Sequence, residues 1–123
     1  MRHNDIPESL SHLAFEFFYW FSRFEFALKE NGHLKNTTIG STAEPGWKPF
    51  VDQWHIHYKL SKEAKDLLTQ PPKEQKVAAN KDLDWVAVDL TTRPYEMGKV
   101  VLLLKTIRNN LFHGGKHGAE DWD

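Results

Sequence analysis

The sequence predicts an all-α fold, a small helical bundle with one short extended or hairpin excursion between its second and third main helices. Three observations predict it. Leu10, Ala14, Phe17, Phe21, Phe24 and Leu28 recur at spacings of four and three, the repeat of one helix face. Val100, Leu103, Leu104, Ile107 and Leu111 form a second such stripe near the other end. No internal repeat, coiled-coil heptad array or low-complexity tract lies between them. At 123 residues the chain is expected to form a single domain over residues 1–123, with enough material for a core that needs no metal or disulfide.

The first helix is expected to begin near Asp5 or Ser9 and to stop at Asn31-Gly32, where glycine supplies the left-handed turn of a C-cap. Phe15, Phe18, Tyr19, Trp20 and Phe26 lie off its main stripe, so it must be covered on more than one side, by other helices or by a second subunit. Residues 34–46 are polar, rich in threonine, serine and glycine, and closed by Pro45-Gly46, which marks a loop. Phe50, Val51, Trp54, Tyr58, Ser61 and Lys65 predict one second helix that closes at Thr69 or Gln70, before Pro71-Pro72. Beyond it the helical period is lost. Asn80-Lys81-Asp82 can turn between extended segments at 75–78 and 83–88, held down by Trp85. A third helix is expected after a Thr91 or Thr92 N-cap, with Pro94 in its first turn and a stop at Gly114-Gly115.

Sixteen basic against 17 acidic residues leave the chain near neutrality, which argues against a generally basic nucleic-acid binder and makes any RNA contact local. The absence of cysteine removes disulfides, thiolate catalysis and cysteine zinc sites, and fits a reducing compartment. Glu16, Arg23 and Glu25 interrupt the apolar run from Leu10 to Leu28, and Asp5 and Glu8 precede it where a signal peptide would be basic. A soluble cytoplasmic protein is expected, with no membrane partner. His55 and His57 sit about 200° apart on a helix and cannot share an ion, while two glycines break the helix between His113 and His117. No metal and no cofactor are expected.

The run Arg108-Asn109-Asn110-Leu111-Phe112-His113 carries the chemistry, because it sets a fixed cation beside a proton-transfer group at a helix end. With Ile107 as the centre of the third stripe, Asn109 and His113 fall about 120 to 160° away, opposite the core, and Arg108 lies at the stripe's edge. Val101 and Leu102 accompany that outer side, a mixture that a dimer interface would explain. The plainer reading is a surface arginine and a histidine capping terminal carbonyls. Glu25 stands only about 40° from the centre of the first helix's apolar stripe, so its carboxylate needs a partner. That partner is either Arg108, which it would hold in place, or a lysine at the surface or an interface.

The segment from Ile107 to Lys116 resembles the signature of HEPN domains, in which an arginine, often followed by Asn or Asp, is separated from a histidine by roughly four to six residues. Arg23-Phe24-Glu25-Phe26-Ala27-Leu28-Lys29 and Gln70-Pro71-Pro72-Lys73 are similar to the small bacterial, often plasmid-borne branch of that superfamily. The resemblance implies an all-helical bundle and a homodimer whose two motifs face each other across a cleft. It further implies metal-independent RNA cleavage, commonly by a toxin or phage-defence effector. In that scheme Arg108 binds the scissile phosphate and His113 takes the 2′-hydroxyl proton, giving 2′,3′-cyclic phosphate and 5′-hydroxyl ends. Asn109 and Glu25 are supporting residues, and Lys116, His117 and Arg23 are further RNA contacts. An antitoxin protein is a candidate partner. The alternative is a catalytically silent HEPN dimer that binds RNA, a nucleotide or a partner protein. An interaction subunit of a larger defence complex is a third reading, suggested by the aromatic surplus of the first helix.

Overall fold

The computed structural model describes residues 8–112 of the chain. Helix α1 runs over Glu8–Glu30 and ends in a paired hydrogen-bond cap. The Gly32 amide donates to the Lys29 carbonyl at 3.2 Å and the His33 amide to the Leu28 carbonyl at 2.8 Å. Gly32 has φ of 83°, a left-handed conformation that glycine adopts without a Cβ penalty. The following loop closes on itself. Leu34 bridges Pro45, the Lys35 amide donates to the Glu44 carbonyl at 3.0 Å, and the Gly46 amide donates to the His33 carbonyl at 2.8 Å. A Cβ on Gly46 would stand 2.5 Å from the Leu34 carbonyl carbon, so only glycine fits this crossing.

The single second helix expected from periodicity is two helices. Helix α2 spans Trp47–Trp54 and passes into a 3-10 turn at His55–His57; helix α3 spans Lys62–Thr69. Tyr58 is extended, and Ser61, read from its spacing as a face residue, instead caps α3, its hydroxyl accepting from the Ala64 amide at 3.0 Å. A cap in place of a turn is what divides the stripe.

The all-α expectation is corrected by a regular antiparallel sheet. Strand β1, Lys73–Val77, pairs with β2, Leu83–Ala87, in a register running from Lys73 opposite Ala87 to Val77 opposite Leu83. Asn80 and Lys81 both take positive φ at the turn, and the Asp82 amide closes it on the Ala79 carbonyl at 3.1 Å. Pro71-Pro72 stops α3 and leaves an extended backbone whose amides and carbonyls are satisfied by this ladder. The sheet packs on the last helix, where the Asn110 side-chain amide donates to the Lys73 carbonyl at 2.9 Å. The fold is therefore mixed α/β, four helices and a two-stranded sheet among the described residues.

Helix α4, Glu96–Phe112, starts later than the threonine caps suggest. Asp89 captures both the amide and the hydroxyl of Thr91, which holds Leu90–Thr92 in a separate 3-10 turn, and Arg93 is extended as residues before proline tend to be. Helix α4 packs against α2, α3 and β1 and is covered on more than one side. For that reason Val101, expected to face outward, is buried with Phe21, Leu28, Trp47 and Val51, while Leu103 is fully buried elsewhere on the helix. Aromatic rings tie α1 to α2: Phe24 stacks on Trp47 at 5.2 Å between centroids, and Phe21 lies 5.7 Å from the same indole. No helix among the described residues is long and apolar enough to cross a membrane.

Candidate functional site

Three elements meet at Glu25. It sits in the last quarter of α1, and its side chain, 18% exposed, faces the start of α2 and the end of α4. One carboxylate oxygen, Oε2, accepts from the Trp47 indole Nε1 at 2.7 Å and lies 3.5 Å from Nη1 of Arg108. A half-buried carboxylate is costly without partners, and here it has a neutral donor on one side and a cation on the other.

Arg108 is held from three directions. Its Nε and Nη2 both donate to the Asn109 side-chain oxygen, at 3.3 and 3.1 Å, and its guanidinium carbon stands 5.3 Å from the centre of the Phe21 ring. A guanidinium over a ring face gains electrostatically from the ring's negative surface. Two of the five guanidinium donors are spent on Asn109, so the group keeps N–H capacity for an anion even with Glu25 beside it. Asn109 itself is exposed. The structure thus brings Arg108, Asn109 and Glu25 together.

Lys105, one turn before Arg108, was not singled out from sequence, although its i, i+3 spacing to Arg108 is visible there. Its ammonium is held below the ordinary lysine range, chiefly by burial and then by Arg108, with Arg93 and Lys35 adding to the effect and Glu25 opposing it. Trp47 was also missed as a polar partner. Its only sequence signal is its place at the first turn of α2, directly after the Gly46 crossing, which turns its ring toward α1.

Other sequence-derived residues lie apart or beyond. Arg23 is exposed on another face of α1, in a shallow depression with Phe15, Phe18 and Phe26. His113, Lys116 and His117 lie outside the described residues. His55 stacks flat on Tyr95 at 3.6 Å between ring centres, and His57 sits beside Trp54. Among the described residues no group of three His, Asp or Glu side chains is placed to hold a metal ion. Compared with protein families, with curated proteins and with solved structures, the chain matches none of them.

Proposed function

We propose that the protein is a metal-independent endoribonuclease that works as a homodimer, in a toxin or phage-defence role. The observation that carries this reading is the fixed guanidinium of Arg108, oriented by Glu25, Asn109 and the Phe21 ring, five residues before His113. An oriented cation of this kind can stabilise charge that builds on a phosphate during displacement without first having to reorganise. His113 accepts the proton of the ribose 2′-hydroxyl as O2′ bonds to phosphorus. The bond to O5′ then breaks, and the partner subunit's His113 supplies the proton to that leaving oxygen. The products are a 2′,3′-cyclic phosphate and a 5′-hydroxyl. Exposed rings on α1, Phe15 at 70% and Trp20 at 65%, together with Phe112 at the end of α4, supply apolar area for the dimer contact.

One observation favours a second reading, a silent dimer that binds RNA, a nucleotide or a protein. The Glu25 carboxylate offsets part of the Arg108 charge before any ligand arrives. Purified protein incubated with single-stranded RNA in excess EDTA separates the two. The nuclease leaves cyclic phosphate ends, spares DNA for want of a 2′-hydroxyl, and loses activity in Arg108→Ala and His113→Ala without losing its dimeric mass. Wild-type protein that binds but does not cut a varied set of RNAs establishes the silent reading. Cleavage that persists undiminished in His113→Ala rules out the mechanism.

A further inference from the structure

The helical stripe that leads to Arg108 also floors a cleft. Gly98, the adjacent pair Val101 and Leu102, and Lys105 fall three or four residues apart along α4, and Asn109 continues the same line with Arg108 at its edge. Opposite them stand Trp47 and Val51 of α2 and the segment 92–95, enclosing about 260 Å³. Arg93 lies against α4 at the glycine: a Cβ on Gly98 would be 3.6 Å from its Cβ and 3.7 Å from its Cδ.

Among the described residues the charges around this cleft do not balance. Among the described residues Lys105 has Arg108, Arg93 and Lys35 as neighbouring cations and Glu25 as the one opposing anion. The carboxylate in the lining itself, Asp52, is bound to Lys48 at 2.8 Å. The Arg93 guanidinium donates only to the Thr92 hydroxyl among the described residues, at 3.4 Å. Lys105 and Arg108 are half-buried, Arg93 and Lys35 exposed at the rim, and like charges gathered around a desolvated ammonium favour the entry of an anion.

We propose that this cleft is a second phosphate subsite for single-stranded RNA, in which Lys105 and Arg93 hold the phosphodiester adjoining the one at Arg108. The inference rests on the reading of Arg108 as a phosphate-binding residue. A nucleic-acid strand fits better than an acidic peptide for two reasons. Its charges repeat along a line, as Lys105 and Arg108 do one helical turn apart. Beside those charges it carries flat, weakly polar nucleosides, and the cleft floor next to Lys105 holds the apolar pair Val101 and Leu102.

The test uses the full chain and a fluorescein-labelled 2′-O-methyl oligonucleotide, which cannot be cut because its 2′ oxygen is capped. Binding is read by anisotropy in EDTA over a series of salt concentrations. Lys105→Gln and Arg93→Gln each weaken binding about five- to tenfold and each reduce the slope of log affinity against log salt by about 0.7. Gly98→Leu, which fills the cleft and leaves every charge in place, also weakens binding, whereas Lys62→Gln on α3 does not. Circular dichroism checks that each variant is folded. The proposal is overturned if Lys105→Gln and Arg93→Gln bind like Lys62→Gln, or if polyglutamate displaces the probe as well as unlabelled RNA does. Cleft-dependent binding by a protein that cuts no RNA supports the subsite and removes the nuclease reading. Cleavage and binding that are both indifferent to the cleft variants remove the subsite alone.

Discussion

Two hollows share Trp47 and Val101 as a common wall, and they differ in almost everything else. On one side lies an apolar groove of about 340 Å³, lined by rings such as Phe17, Phe24 and Phe50 together with Met97 and Leu104. On the other lies the cationic cleft. A rotation of about 100° along α4 separates Met97 on the groove side from Gly98 on the cleft side. The groove side lowers the free energy of the fold through ring contacts and apolar burial. The cleft side raises it, because Lys105 is desolvated among like charges. Stability and binding capacity are therefore sorted onto adjacent faces of one helix.

Removing the shared wall is the largest way to break this contrast. Trp47→Ala is expected to cost about 3–5 kcal/mol by urea denaturation, through the lost indole packing, the joined cavities and the loss of the indole hydrogen bond to Glu25. A smaller change acts on charge alone. Glu25→Gln keeps an acceptor for the Trp47 indole but removes the anion facing Arg108, which should destabilise the fold by about 1 kcal/mol. Because Glu25 supports the charged form of Lys105, the same variant should lower the Lys105 pKa further, a shift that NMR titration of its ε-methylene can follow.

Gly98→Ala sharpens the contrast in the other direction. The added methyl meets Arg93 and Val51 at ordinary contact distances of 3.6 and 3.7 Å and gains helix propensity, so stability should rise by about 0.5–1 kcal/mol. The smallest expected effect is on pH dependence. Lys105 has a folded pKa below its ordinary 10.5, so between those two values the unfolded chain binds more protons and wild-type stability rises with pH. Lys105→Met should raise the melting temperature near neutrality, and its advantage should shrink as pH climbs through that window. A variant that melts below wild type at neutral pH would remove the claim that the charge is held at a cost.

Local chemistry was legible in the sequence where one residue decides the outcome. Asn31-Gly32 ends α1 because the capping geometry needs a positive φ there, and that need is visible without tertiary context. Glu25 was traceable for a similar reason. Its angle among phenylalanines demands a partner, and Arg108 stands 3.5 Å away. Features that depend on several neighbours at once were not legible. The outward placement of Val101 assumed that α4 has one buried face, whereas α2, α3 and β1 cover it together. The turn at Asn80-Lys81-Asp82 between two extended segments was legible, but the all-α class failed because the regular ladder of β1 and β2 depends on backbone pairing and on packing against α4, neither of which leaves an apolar period in Lys73–Val77. The Trp47 to Glu25 bond leaves no sequence signal because an indole donor announces its acceptor only in three dimensions.

The loop after α1 is tied at its base by the Leu34 to Pro45 bridge and the Gly46 crossing, while its tip is bare, with Ile39 fully exposed. A segment stapled in this way is uncoupled from the length of chain it encloses. Lengthening its tip between Gly40 and Ser41 adds only a slowly growing loop-closure term, about 0.6 kcal/mol for each doubling. Lys35, at the foot of the same loop, is one of the cations felt by Lys105. A dye or short peptide grafted at the tip would therefore travel on a support anchored beside the cationic cleft, giving a built-in station for watching ligands arrive.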